Sequence, residues 1–199
     1  MLEEMTDFLR TRGKAVLGLV AANILVFIWL SLKGSTLNTS FMLEHGACYT
    51  PLILEGEYYR LFTGMFLHFG LIHLLYNMVC LVALGDLLEK EAGTLRFLAI
   101  YLLGGVAGNL LSLALDLQGF RGGYAVSAGA SGAVFAVIGG VLWIVIRRKG
   151  QFGRISLQRM MLTVVLMVLQ GFTESGTDNA AHVGGLVAGL VLAALLGVR

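Results

Sequence analysis

The chain has 199 residues, 57% hydrophobic and 13% charged, with 27 glycines, one proline and a formal net charge of +2. A water-soluble domain of this length carries roughly twice that share of charge, so apolarity spread along the whole chain points to a bilayer. The small net charge argues against nucleic acid as a partner.

A bilayer core of about 30 Å is crossed by about 20 apolar residues in a helix. Six segments approach that length: 14–32, 69–88, 95–117, 127–146, 157–172 and 180–198. The first follows a short N-terminal segment, 1–13, that carries Arg10 and Arg12. It is too long for the apolar region of a signal peptide and lacks a small-x-small cleavage site, so it is read as a span. Asn23 within it, like Asn109 in the third segment, suits an interhelical hydrogen bond.

The connection 33–68 is far longer than the others. Its Tyr58, Tyr59, Leu61, Phe62, Met65 and Phe66, with Phe69, suit a membrane interface. His45 is expected to be an exposed loop residue. Cys48 in this loop and Cys80 in the second segment lie at different depths, without disulfide or zinc spacing, and are read as structural thiols. Glu89, beside Lys90 at the end of the second segment, is expected to bond nearby backbone or charged groups. The fifth segment is the shortest. With no repeat or composition break, residues 1–199 read as one domain with its core at about 14–198. The fold class is an all-α membrane protein, a six-helix transmembrane bundle with a long, partly interfacial first outer loop.

With the N-terminus in the cytoplasm, eleven Lys and Arg fall on the inner side and only Lys33, Arg60 and Arg121 on the outer side. This positive-inside bias places both termini in the cytoplasm, in a cell or inner membrane. The second, fourth and sixth segments then run inward. Ser131 lies 16 residues before Arg147, His182 lies 17 before Arg199 and His73 lies 16 before Glu89, each roughly 24–26 Å above the inner charge. Asn77 is one turn deeper than His73 on the same face. Ionisable groups in membrane helices are costly and mark function; here they gather at one depth, below an outer opening.

Small residues flank them. Gly132, Ala136 and Gly140 are expected on one face of the fourth segment, and Gly185 and Gly189 on one face of the sixth, letting two helices pack closely. If these faces meet, Ser131 and His182 come within hydrogen-bond reach.

At these residues the chain resembles the rhomboid family of intramembrane serine proteases. Gly129-Ala130-Ser131-Gly132 is similar to the family's Gly-x-Ser-Gly, and Ala181-His182-Val183-Gly184-Gly185 to the region of its histidine on the last core helix. His73 and Asn77 match its His-x-x-x-Asn, and Gly85, Glu89 and Gly93 its Gly-x-x-x-Glu-x-x-x-Gly. Tyr59-Arg60 stands where the family often has Trp-Arg. Phe135 stands where it often has a tyrosine stacked on the histidine, keeping the aromatic face without the hydroxyl. The resemblance implies transmembrane protein substrates that enter sideways between the second and fifth helices and are cut near a small residue. It implies no cofactor, metal or obligate protein partner.

A serine hydroxyl needs a base, and His182 is the candidate; it can then protonate the leaving amine. Asn77, His73 and the Ser131 N–H can stabilise the oxyanion or position water. His68 suits either water-holding or loop anchoring. Asp178, one turn before His182 in the polar loop Thr173–Asn179, is expected to be solvated, so the site reads as a Ser–His dyad. A zinc protease would need His-Glu-x-x-His, which is absent, and Ala83 breaks a Gly-x-Gly-Asp match at Asp86. Two non-protease readings stand beside this one. An inactive rhomboid-like protein escorting membrane clients would have lost the serine or the histidine. A proton-relay transporter would show broken helices or a repeat.

Overall fold

The computed structural model describes residues 12–120, 122–152, 155–173 and 177–199. Residues 1–11 of the N-terminal segment, with Arg10, as well as Arg121, Arg154 and positions 174–176 of the loop before His182, lie outside the described residues.

The architecture is helical. Helix α1 (Lys14–Lys33) is followed by three short helices in the long loop, α2 (Thr39–Glu44), α3 (Thr50–Leu54) and α4 (Arg60–Thr63). Then come α5 (Gly70–Ala92), α6 (Thr94–Leu117), α7 (Ser131–Arg147), α8 (Leu157–Thr173) and α9 (Asn179–Leu195). A two-residue antiparallel pair, Gln151–Phe152 with Ile155–Ser156, links α7 to α8. Helices α1, α5 and α6 are long and apolar enough to cross a membrane; α7, α8 and α9 are shorter apolar helices.

Glycine contacts hold α6, α7 and α9 together. A Cβ on Gly185 would sit 2.0 Å from the Gly132 carbonyl oxygen, and one on Gly189 1.9 Å from that of Ala136. One on Gly108 of α6 would meet the Ala181 carbonyl at 2.5 Å. Hydrogen atoms alone fit at these crossings, so the backbones touch and dispersion replaces the hydrophobic drive that lipid cannot provide.

The third small residue facing α9 is Gly139, against Leu186 and Leu190, whereas Gly140 faces Leu88 of α5 and Ile100 of α6. This corrects the expected Gly132–Ala136–Gly140 stripe. At about 100° per residue, position 139 returns to within about 20° of position 132, while position 140 stands about 80° away.

A turn of π-helix at Leu81–Gly85 interrupts α5. Gly93, at φ +83°, ends the helix where a side chain would be strained. Near this end Glu89 accepts the N–H groups of Ala15 (3.1 Å) and Val16 (2.9 Å) and the Thr94 hydroxyl (2.8 Å). It thereby satisfies orphan donors at the start of α1. Asp86 accepts from Arg12, Lys90 and the Gly13 N–H, binding α1 to α5 a second time.

The long loop is a packed layer. Arg60 is buried, its guanidinium donating to the carbonyls of Leu43 (2.6 Å) and Ala47 (2.9 Å) and to Glu57 (2.6 Å). The Tyr59 hydroxyl also donates to Glu57, and these two hydrogen bonds hold that carboxyl below its usual range. Met65, grouped by its sequence with interfacial residues, is buried and would meet a Cβ on Gly105. His45 is half-buried, its ring between Phe41 and Trp29 rather than free in solvent. Asn23 donates to Leu19 of its own helix and faces the Tyr101 hydroxyl of α6, and Asn109 donates to Leu61 of α4.

Candidate active site

The helix expected over 127–146 begins at Ser131. Ahead of it the chain is extended and is tied to the long loop by the Cys48–Ser127 bridge and by the Gly129 N–H on the Gly64 carbonyl, 2.9 Å. Cys48 donates its thiol proton to the Arg60 carbonyl at 2.9 Å, and burial pushes that thiol up to about 12. Both cysteines are free.

Ser131 is the first residue of α7, among N–H groups that have no partner within the helix. His182 is the fourth residue of α9 and is buried. The crossing at Gly132 and Gly185 brings the Ser131 hydroxyl to 2.8 Å from His182 Nε2. The Phe135 ring lies parallel to the imidazole, 4.3 Å away and tilted by 10°. The stack fixes the ring plane, and the hydrogen bond fixes which nitrogen faces the serine.

From α5, His73 packs against Gly129. A Cβ on Gly129 would come within 2.8 Å of its ring, so the glycine admits the imidazole. Asn77 is buried and donates one amide hydrogen to the His73 carbonyl, 2.9 Å, leaving its second for another acceptor. His68 meets His73 edge-on at 5.2 Å and accepts the Ala130 N–H at 3.3 Å. Burial pulls its pKa down to about 3, which keeps the ring neutral and able to accept. The loop before the serine is therefore anchored through His68.

Asp178 is not solvated. It is buried, its Oδ1 accepts the Ala181 N–H at 3.0 Å, and its Oδ2 accepts the Ser112 hydroxyl of α6 at 2.6 Å. The expectation of a solvated loop fails here because an aspartate just ahead of a helix caps it, and that helix start is packed against α6. An Asp directly before an apolar helical run is itself a sequence signal for such a cap. The bond from Ser112, 66 positions away, had no signal in sequence.

Ser131, His182, His73 and Asn77 line one cavity of about 900 Å³, together with Tyr76 of α5 and Met167 of α8. Among the described residues no three His, Cys, Asp or Glu side chains gather as a metal site.

The comparison with known proteins places this helical bundle in a family. Residues 55–199 match the Rhomboid domain, more than two thirds of the chain, and the chain belongs to the rhomboid family, a family of multi-pass membrane serine proteases. Rhomboid protease GluP of Bacillus subtilis (strain 168) is 35% identical over 179 residues, 90% of this chain and 34% of that protein. RHOMBOID-like protein 5 of Arabidopsis thaliana is 38% identical over 160 residues, 77% of this chain and 49% of that protein. Putative rhomboid protease YdcA of B. subtilis (strain 168) is 32% identical over 143 residues, covering 72% and 69%. The chain thus spans about a third to a half of the length of the first two relatives.

Proposed function

We propose that this protein is an intramembrane serine endopeptidase in which Ser131 is the nucleophile and His182 the general base. The observation that carries this reading is the 2.8 Å contact between Ser131 Oγ and His182 Nε2 inside a large cavity.

Ser131 Oγ attacks the carbonyl carbon of the scissile bond as its proton passes to His182 Nε2. The carbonyl oxygen becomes an oxyanion, which accepts from the Ser131 N–H at the start of α7, from the second amide hydrogen of Asn77 and from His73. Collapse breaks the C–N bond, and His182 returns the proton to the departing amine. Water, deprotonated by the same imidazole, then attacks the acyl-serine, and Ser131 regains its proton. Each oxyanion donor contributes roughly 10²–10³ in turnover.

The residues act in one domain of six spans, with α1, α5, α6, α7, α8 and α9 crossing the bilayer and both termini in the cytoplasm. Helices α7 and α9 have 17 residues each, about 26 Å. They fall short of a 30 Å core and leave the site below the outer surface, where a water-filled opening tolerates its polar groups. A substrate's transmembrane segment reaches the serine between α5 and α8, whose Tyr76 and Met167 line the cavity. No cofactor, metal or obligate protein partner enters the reaction.

The test is cleavage of a transmembrane reporter by purified enzyme in detergent. Ser131→Ala and His182→Ala each fold and lose at least about 10³-fold in rate, and a fluorophosphonate labels the wild type alone. Retained cleavage by Ser131→Ala would falsify the nucleophile assignment. Stable binding of the reporter by the wild type without any cleavage points instead to a client-binding rhomboid-like protein.

A further inference from the structure

We propose that Asp178 is a positioning residue for His182, and that it acts through its charge as well as by capping the helix that carries the base. This inference rests on the reading of His182 as general base.

Three observations lead to it. Asp178 is buried and closes the start of α9: its Oδ1 accepts the Ala181 N–H at 3.0 Å, and its carbonyl accepts the His182 N–H at 3.1 Å. Its other oxygen takes the Ser112 hydroxyl at 2.6 Å, so one carboxylate ties the first turn of α9 to α6. His182 Nδ1 has no hydrogen-bond partner among the described residues. The nitrogen that would meet the acid of a triad is therefore untouched, and a carboxylate stands about one helical turn away on the same face.

A carboxylate so placed does two things. It fixes the imidazole's height on α9 relative to Ser131, because a frayed first turn would release the fourth residue of the helix. It also stabilises the imidazolium formed when the serine proton arrives, since a fixed, buried negative charge acts beyond contact range. Asp178 does this without accepting the proton.

The groups around His182 leave few other sources for such a field. On α7 its neighbours are the Ser131 hydroxyl and the Phe135 ring. From α5 the titratable group acting on it is His73, behind which His68 is held neutral. From α6 come Ser112, bonded to Asp178, and Asp116, bonded to Thr50 at 2.5 Å. The long loop contributes Cys48, whose thiol is held protonated by burial, and Arg60, paired with Glu57. The cavity residues contributed by α8, Met167 and Gly171, carry no charge.

The experiment measures the rate of fluorophosphonate labelling of Ser131 against pH for wild type, Asp178→Asn and Asp178→Ala, with thermal stability alongside. Asparagine caps a helix about as well as aspartate, so Asp178→Asn keeps the cap and loses the charge. Its acid limb is expected to move about 0.5–1 unit to lower pH, because the imidazolium has lost its stabilising charge, and its plateau rate to fall about 3- to 10-fold. Asp178→Ala adds a loss of thermal stability to the same shift. An Asp178→Asn profile that superimposes on the wild type overturns the electrostatic role and leaves a cap alone.

If Asp178→Asn does not fold, Ser112→Ala tests the idea with cap and charge in place. Loss of the hydroxyl leaves the carboxylate less neutralised, and the limb moves to higher pH; an unmoved limb refutes the proposal. Wild-type enzyme that takes no label at Ser131, or labelling indifferent to His182→Ala, sinks the protease reading instead, so the two failures are told apart.

Discussion

Helices α9 and α8 are neighbours of equal length, 17 residues each, yet they are held in opposite ways. In α9 the buried set is Ala181, His182, Gly184, Gly185, Gly189 and Ala193, mostly small residues in backbone contact with α6 and α7. Among the described side chains of α8, Met160 and Val164 are the buried hydrophobics, while Met161, Leu162, Val165, Leu166 and Leu169 are exposed. His182 thus sits on a helix that cannot slide without backbone collisions. The far wall of the cavity is a helix with little to lose on moving. Catalytic geometry needs tight supporting packing; admitting a helical substrate needs one loosely held element.

The comparison breaks most severely at Gly189. Gly189→Val places atoms on the Ala136 carbonyl, where a Cβ would already stand 1.9 Å away. It is expected to cost about 1–3 kcal/mol or more of stability and about 10²-fold in activity, because the Ser131–His182 contact lengthens as α7 and α9 part. Thermal unfolding and reporter cleavage in the same detergent check both numbers. An intermediate effect sharpens the picture. Phe135→Leu removes the ring stacked on His182 at 4.3 Å but keeps an apolar group of similar bulk. With a stack worth about 0.5–1.5 kcal/mol, the expected loss in kcat/KM is about 2- to 10-fold with little change in melting temperature. The smallest effect belongs to α8. Leu166→Ala, at an exposed position, is expected to leave activity within about twofold and stability within about 0.5 kcal/mol. A loss there as large as at Gly189 would show that α8 is as tightly bound as α9.

Much of the site was readable from residue types and counts. Near-equal spacing from Arg147, Arg199 and Glu89 put Ser131, His182 and His73 at one level, and small residues beside the first two let their helices meet. The third glycine of the α7 stripe was misread. A four-residue spacing followed for two turns drifts around a 3.6-residue helix, and the contact falls to Gly139. His68, Arg60 and Asp178 were harder. Each is a polar residue in a connecting segment, where composition predicts solvent. Each is buried because main-chain groups far along the chain, or a hydroxyl on another helix, satisfy it.

The sequence by itself determined the family, the apolar helices and the candidate serine and histidine. These depend on local composition, charge asymmetry and short motifs, which are properties of consecutive residues. Tertiary structure alone decided that the long loop is a packed layer pinned by Arg60. It also decided that the chain before Ser131 hangs on His68 and that Asp178 locks the start of α9 to Ser112. Those outcomes depend on which distant donor meets which acceptor, and no local pattern encodes a hydrogen bond across 66 positions.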